Sequence, residues 1–183
     1  MFFVWILGLL LLGSMQVEAK FKSLLCVPHD KDYADFFICK INAISRYKNS
    51  ISIGYRIKQT FGSNLILRME LFKRANGWRP FLYNVTLNVC DFLDNAKNRN
   101  TPNGALFSLA FSYFSQYLNK PLKCPFYAND TMEIMNFVCN MKRFRSRFPI
   151  ENGEYAAQFS VYHKKILKYT INGSMEYYNY KEH

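Results

Sequence analysis

The residues of this chain alternate between apolar and polar with a period of two, and this narrows the fold before any motif is considered. Ile51, Ile53, Tyr55 and Ile57 alternate with Ser52, Gly54, Arg56 and Lys58. Leu65, Leu67, Met69 and Leu71 form a second apolar row. Phe81, Tyr83, Val85, Leu87 and Val89 form a third, alternating with Leu82, Asn84, Thr86, Asn88 and Cys90. Successive side chains of a strand point to opposite faces, so each row predicts a strand with one buried face. Asn76-Gly77 supplies a turn between the second and third rows. Residues 36–47, 132–141 and 155–163 read as further strands, as does the C-terminal segment around Asn172. One segment breaks the period. Thr101 caps it and Pro102 suits its first turn. Leu106, Leu109, Ala110, Tyr113, Phe114 and Tyr117 then recur at helical spacing, and Pro121 ends the run. Many short strands and one short helix predict an all-β fold, an antiparallel β-sandwich.

The N-terminus predicts where the chain goes. Residues 1–12 carry no charged side chain, Gly13 and Ser14 break the apolar run, and Val17-Glu18-Ala19 follows. That pattern is a signal peptide over 1–19 with cleavage after Ala19, leaving one domain over 20–183. The apolar run is shorter than the ~20 residues that span a bilayer. Three sequons follow, at Asn84, Asn129 and Asn172. A glycan on Asn84 must face solvent, which turns Tyr83 and Val85 inward, where the hydrophobic pattern also puts them. In the C-terminal strand, Asn172 and Ser174 fall on one parity and Ile171, Gly173, Met175 and Tyr177 on the other. The expected location is extracellular, with disulfides among Cys26, Cys39, Cys90, Cys124 and Cys139.

Catalysis has little support. The histidines are His29, His163 and His183, there is no GxSxG or HExxH, and no cysteine pair has zinc-like spacing. No cofactor or metal is expected. The net charge of +11 would suggest nucleic acid in a nuclear protein, but secretion removes that partner. The densest basic run, Lys142-Arg143-Phe144-Arg145-Ser146-Arg147, reads as a solvated loop or strand end. The alternative is a site for an anionic head group, a membrane surface or an acidic receptor patch. Half of the residues are hydrophobic, among them 13 Tyr and 17 Phe. Periodicity alone leaves two readings of this inward-facing material: an ordinary close-packed core, or two sheets standing apart around an apolar ligand.

The segment Leu71-Phe72-Lys73-Arg74-Ala75-Asn76-Gly77-Trp78-Arg79-Pro80-Phe81-Leu82-Tyr83-Asn84-Val85-Thr86, running on to Cys90-Asp91-Phe92-Leu93, resembles a large insect family of small secreted proteins of mostly unassigned function, which includes the chemosensory CheB proteins. Cys124-Pro125-Phe126-Tyr127 and Pro149-Ile150-Glu151-Asn152-Gly153-Glu154-Tyr155 fit the same pattern, and order and spacing fit along nearly all of 20–183. That family is similar to the ML group of lipid-recognition domains. The resemblance implies an immunoglobulin-like sandwich splayed around a lipid. The chain departs from it at Leu118-Asn119-Lys120-Pro121-Leu122-Lys123, read here as a mouth loop, and the pattern has no place for Cys139.

Two functions follow as expectations. One is a carrier of a hydrophobic small molecule, a lipid or pheromone-like compound. The other is an interaction protein with a filled core, acting on a membrane receptor or channel through its basic surface. For the carrier, the expected lining is Ile53, Tyr55, Leu67, Met69, Tyr83, Val85 and Leu87 from the middle of three strands, with Phe111 and Phe114 closing one end. The expected bridges are Cys26–Cys39 across a short N-terminal segment and Cys90–Cys124 around the helical excursion, with Cys139 outside both. Other pairings remain open, Cys139 being the residue best placed to displace a partner.

Overall fold

The computed structural model describes residues 19–46, 48–94, 100–140 and 150–178, without the side chain of Tyr83. The chain runs through β1 (Lys20–Pro28), β2 (Ala34–Ser45), β3 (Lys48–Ile57), β4 (Leu65–Ala75) and β5 (Gly77–Asn88). Two helices follow, α1 (Val89–Asp94) and α2 (Pro102–Phe114), the second continued by a 3-10 turn at Ser115–Tyr117. β6 (Thr131–Phe137), β7 (Gly153–His163) and β8 (Ile166–Tyr177) complete it. Strand pairing is antiparallel throughout. One sheet has the order β1-β8-β7-β4-β5 and the other β2-β3-β6. The protein is therefore an all-β sandwich.

The apolar rows face the space between the sheets. Val85, Met69, Phe159, Ile171 and Cys26 are consecutive cross-strand partners on the inner face of the larger sheet. Its outer face is polar: Asn84, Glu70, Gln158 and Asn172 form the adjoining row, and Arg68 donates to Glu70 at 2.7 Å. Asn84 is exposed and Asn172 half-buried on that outer face. Asn129 is exposed in a turn, in the left-handed region.

The two long sides of the sandwich are closed differently. On one, the Cys26–Cys39 disulfide ties edge strand β1 to edge strand β2. On the other, β5 and β6 do not pair; α2 packs on β5 and the 3-10 turn packs on β6. Cys90–Cys124 is the second disulfide, anchoring both ends of the helical excursion. Both bridges match the expected pairing. Thr101 caps α2, its hydroxyl accepting from the Gly104 N–H at 3.1 Å. Two elements depart from the sequence pattern. β1 was not foreseen. The third row, which reads as strand through Cys90, turns instead into α1 at Val89, where Asn88 Oδ1 accepts from the Cys90 N–H at 3.1 Å and caps the new helix.

Candidate functional site

At one end the two sheets are filled. Tyr33 and Phe61 stack at 4.7 Å, Phe61 meets Phe126 at 5.3 Å, and His163 lies against both Tyr33 and Phe61. Tyr169 packs edge-on to Phe36 and donates to the Tyr55 hydroxyl at 3.3 Å. Burial pushes Tyr55 and Tyr169 above the usual phenol range, so both stay neutral.

Toward the other end the sheets part around a cavity of about 410 Å³. Its floor comes from a row of small or slender residues on the inner face of the larger sheet. Leu24, Gly173, Ala157 and Leu71 are consecutive cross-strand partners there. The equivalent row at the filled end passes through Tyr169 and Val161. A Cβ placed on Gly173 would meet only Ser23 O at 3.7 Å and Leu24 Cδ1 at 3.9 Å, so that position is open. Ile51 and Ile53 of β3 and Phe137 of β6 form the opposite wall, and Leu106, Ala110 and Phe114 of α2 close the side. Volumes of this order belong to small-molecule sites.

No Lys, Arg, His, Asp or Glu is among the described lining residues. The polar groups are neutral, chiefly Gln116, Asn140 and the rings of Tyr113, Tyr117 and Tyr155. Tyr155 is anchored, its hydroxyl donating to the Glu151 carbonyl at 2.8 Å. Cys139 also lines the cavity and is in neither disulfide; burial pushes its thiol up to about 12, so it is held protonated. Leu82, Gln116 and Asn140 are the exposed members of the lining and mark a mouth between β5, the 3-10 turn and the end of β6. Leu82 sits in the left-handed region (φ 59°) at a bulge in β5, a conformation that a branched side chain rarely adopts.

The cavity takes in Ile53, Met69 and Phe114 of the residues expected from sequence, while Tyr55, Leu67, Val85, Leu87 and Phe111 lie elsewhere. Tyr55, Leu67 and Leu87 pack against the filled core. Val85, only 1% exposed, is packed with Met69, Phe92 and Phe107. Phe111 belongs to that same cluster, stacked on Phe107 at 5.9 Å. Tyr83 lies on β5, and its side chain is outside the described set. The proposed mouth loop at 118–123 is not at the mouth: Leu118 and Leu122 pack on the filled end. The basic run at 142–147 lies outside the described residues. Sequence reasoning missed the floor residues, because it looked for bulk on the buried parity where Gly173 and Ala157 supply room. Phe21 and Leu24 were missed together with β1.

An all-β sandwich with a hollow, apolar end is the class that fold and site define. Residues 67–157 match the family described as "Protein of unknown function (DUF1091)". The match starts in β4 and ends in β7, so it includes the strands and helix on the mouth side of the cavity. No curated protein is a significant match to the chain. The two disulfides fit an oxidising, extracellular setting. No helix among the described residues is long and apolar enough to cross a membrane.

Proposed function

We propose that the protein is a secreted, glycosylated binder and carrier of one hydrophobic small molecule, held between the sheets at the hollow end. The observation that carries this reading is the cavity of about 410 Å³, with its apolar walls and its floor of Gly173 and Ala157. Apolar cavities stay dry and accept apolar guests, and each methylene moved from water into such a space contributes about 0.8 kcal/mol. Resemblance to the CheB group and to ML domains agrees with a lipid or pheromone-like ligand and a role in chemosensation.

The test is native mass spectrometry of protein secreted from insect cells, with extraction of whatever co-purifies. Gly173→Val combined with Ala157→Phe should fill the floor and abolish ligand binding while the protein still folds. Gly173 has no positive φ, and valine at 173 keeps the Asn172 sequon intact. If no lipid co-purifies and neither fatty acids nor cuticular hydrocarbons bind, the carrier reading fails. A partner acting on the basic surface then takes its place.

A further inference from the structure

The hairpin joining β4 to β5 stands beside the cavity mouth and carries a surface with no use inside the fold. Every residue from Arg74 to Pro80 is exposed. Trp78 is 42% exposed, with the Arg74 guanidinium 5.2 Å from its ring. Past Pro80, Leu82 is 47% exposed, and its left-handed backbone at the bulge goes with a side chain left on the rim. Large apolar side chains held outward are informative where they cluster.

Charge accompanies them. The acids at this end each face a base: Glu176 meets Lys22 at 3.0 Å, Glu154 meets Arg74 at 3.9 Å, and Glu151 meets Lys73. The hairpin adds Arg79, exposed on β5 next to Trp78. Tryptophan has an apolar body with a polar N–H and partitions to the head-group level of a bilayer, while arginines beside it engage anionic lipid. A turn of tryptophan flanked by arginines, with a leucine below it, has that composition.

We infer that this hairpin is a docking element for an anionic lipid surface, with Trp78 at head-group depth, Arg74 and Arg79 on lipid phosphates or carboxylates, and Leu82 at the boundary between membrane and cavity. β4 and β5 supply Leu71, Phe81 and Leu82 to the cavity, so docking sets the mouth against the membrane. The inference goes beyond ligand binding and does not require the cavity to be occupied.

Trp78 is the only tryptophan beyond residue 19 and the other is Trp5, so intrinsic fluorescence isolates the hairpin. The full chain is expressed through its own leader with Trp5→Phe, which silences any retained N-terminus. It is mixed with vesicles of phosphatidylcholine alone or with added phosphatidylserine. The expected result is flotation with the anionic vesicles only, a blue-shifted Trp78 emission and protection from acrylamide. Arg74→Gln with Arg79→Gln should weaken binding about thirtyfold, and Trp78→Ala should weaken it at unchanged thermal stability. Flotation without a change in Trp78 emission overturns the inference, as does equal binding to neutral vesicles. A shift with an acidic polypeptide and none with vesicles overturns it in favour of a protein partner.

Discussion

The two ends of this sandwich share the same strands and are filled differently. At the filled end, Phe36, Tyr55 and Tyr169 carry interlocking rings on strand positions, and Tyr33, Phe61 and Phe126 add a second group from the connecting segments. At the hollow end, the central strands β7 and β8 present Ala157 and Gly173 instead. The gap is packed where large rings meet across it and open above Ala157 and Gly173. Bulk on the buried parity therefore supplies cohesion, and its local absence supplies the site.

That contrast can be broken by truncation. Phe61, 6% exposed and in contact with three rings, should cost about 3–5 kcal/mol as Phe61→Ala. Phe137→Ala at the hollow end should cost less than half as much in urea unfolding, because part of that ring already faces space. Equal losses would mean that the two ends are packed alike. The disulfides give the next largest effect. Removing Cys90–Cys124, with its sequence separation of 34, should cost about 4 kcal/mol, and removing Cys26–Cys39, with a separation of 13, about 3 kcal/mol. Denaturant midpoints of the paired Cys→Ser variants measure both. The floor-filling pair at 173 and 157 should sharpen the comparison from the other side, leaving stability unchanged or raising it by about 1 kcal/mol. A large destabilisation there would show a space that is already occupied by protein.

The smallest effect concerns pH. Burial first, then Lys164 and Lys168, holds His163 below the usual histidine range. Its unfolded form binds protons more readily than its folded form, so its contribution is present above the unfolded value of about 6.5 and is lost as pH falls toward the folded one. The urea midpoint should fall between pH 7 and pH 5, and His163→Phe should flatten that slope. A midpoint that drops equally in the variant would move the cause to another group.

Much of the fold was legible because its signals are local. The period of two placed β3, β4 and β5, and Thr101 with Pro102 placed the start of α2. β1 escaped because it depends on pairing with β8, some 150 residues away, which no local pattern encodes. α1 escaped because the alternation carries on through Val89 while Asn88 is already capping a helix. The site was less legible than the fold. Residues such as Val85 and Leu87 were placed correctly on the inner face, yet whether an inward side chain meets a partner or a space depends on the opposite sheet. The floor also depends on glycine and alanine, which hydrophobic periodicity does not register.

The tripeptide Asn172-Gly173-Ser174 faces two ways. Asn172 and Ser174 belong to the outer face, while the position of Gly173 opens on the cavity floor. The acceptor motif constrains its middle residue only by excluding proline. Any glycine codon is one nucleotide from alanine or valine, so a single base change can shorten the chamber while the glycan acceptor stays as it was. In the proposed glycosylated carrier, selection on ligand size and selection on surface coating would act on adjacent residues without opposing each other.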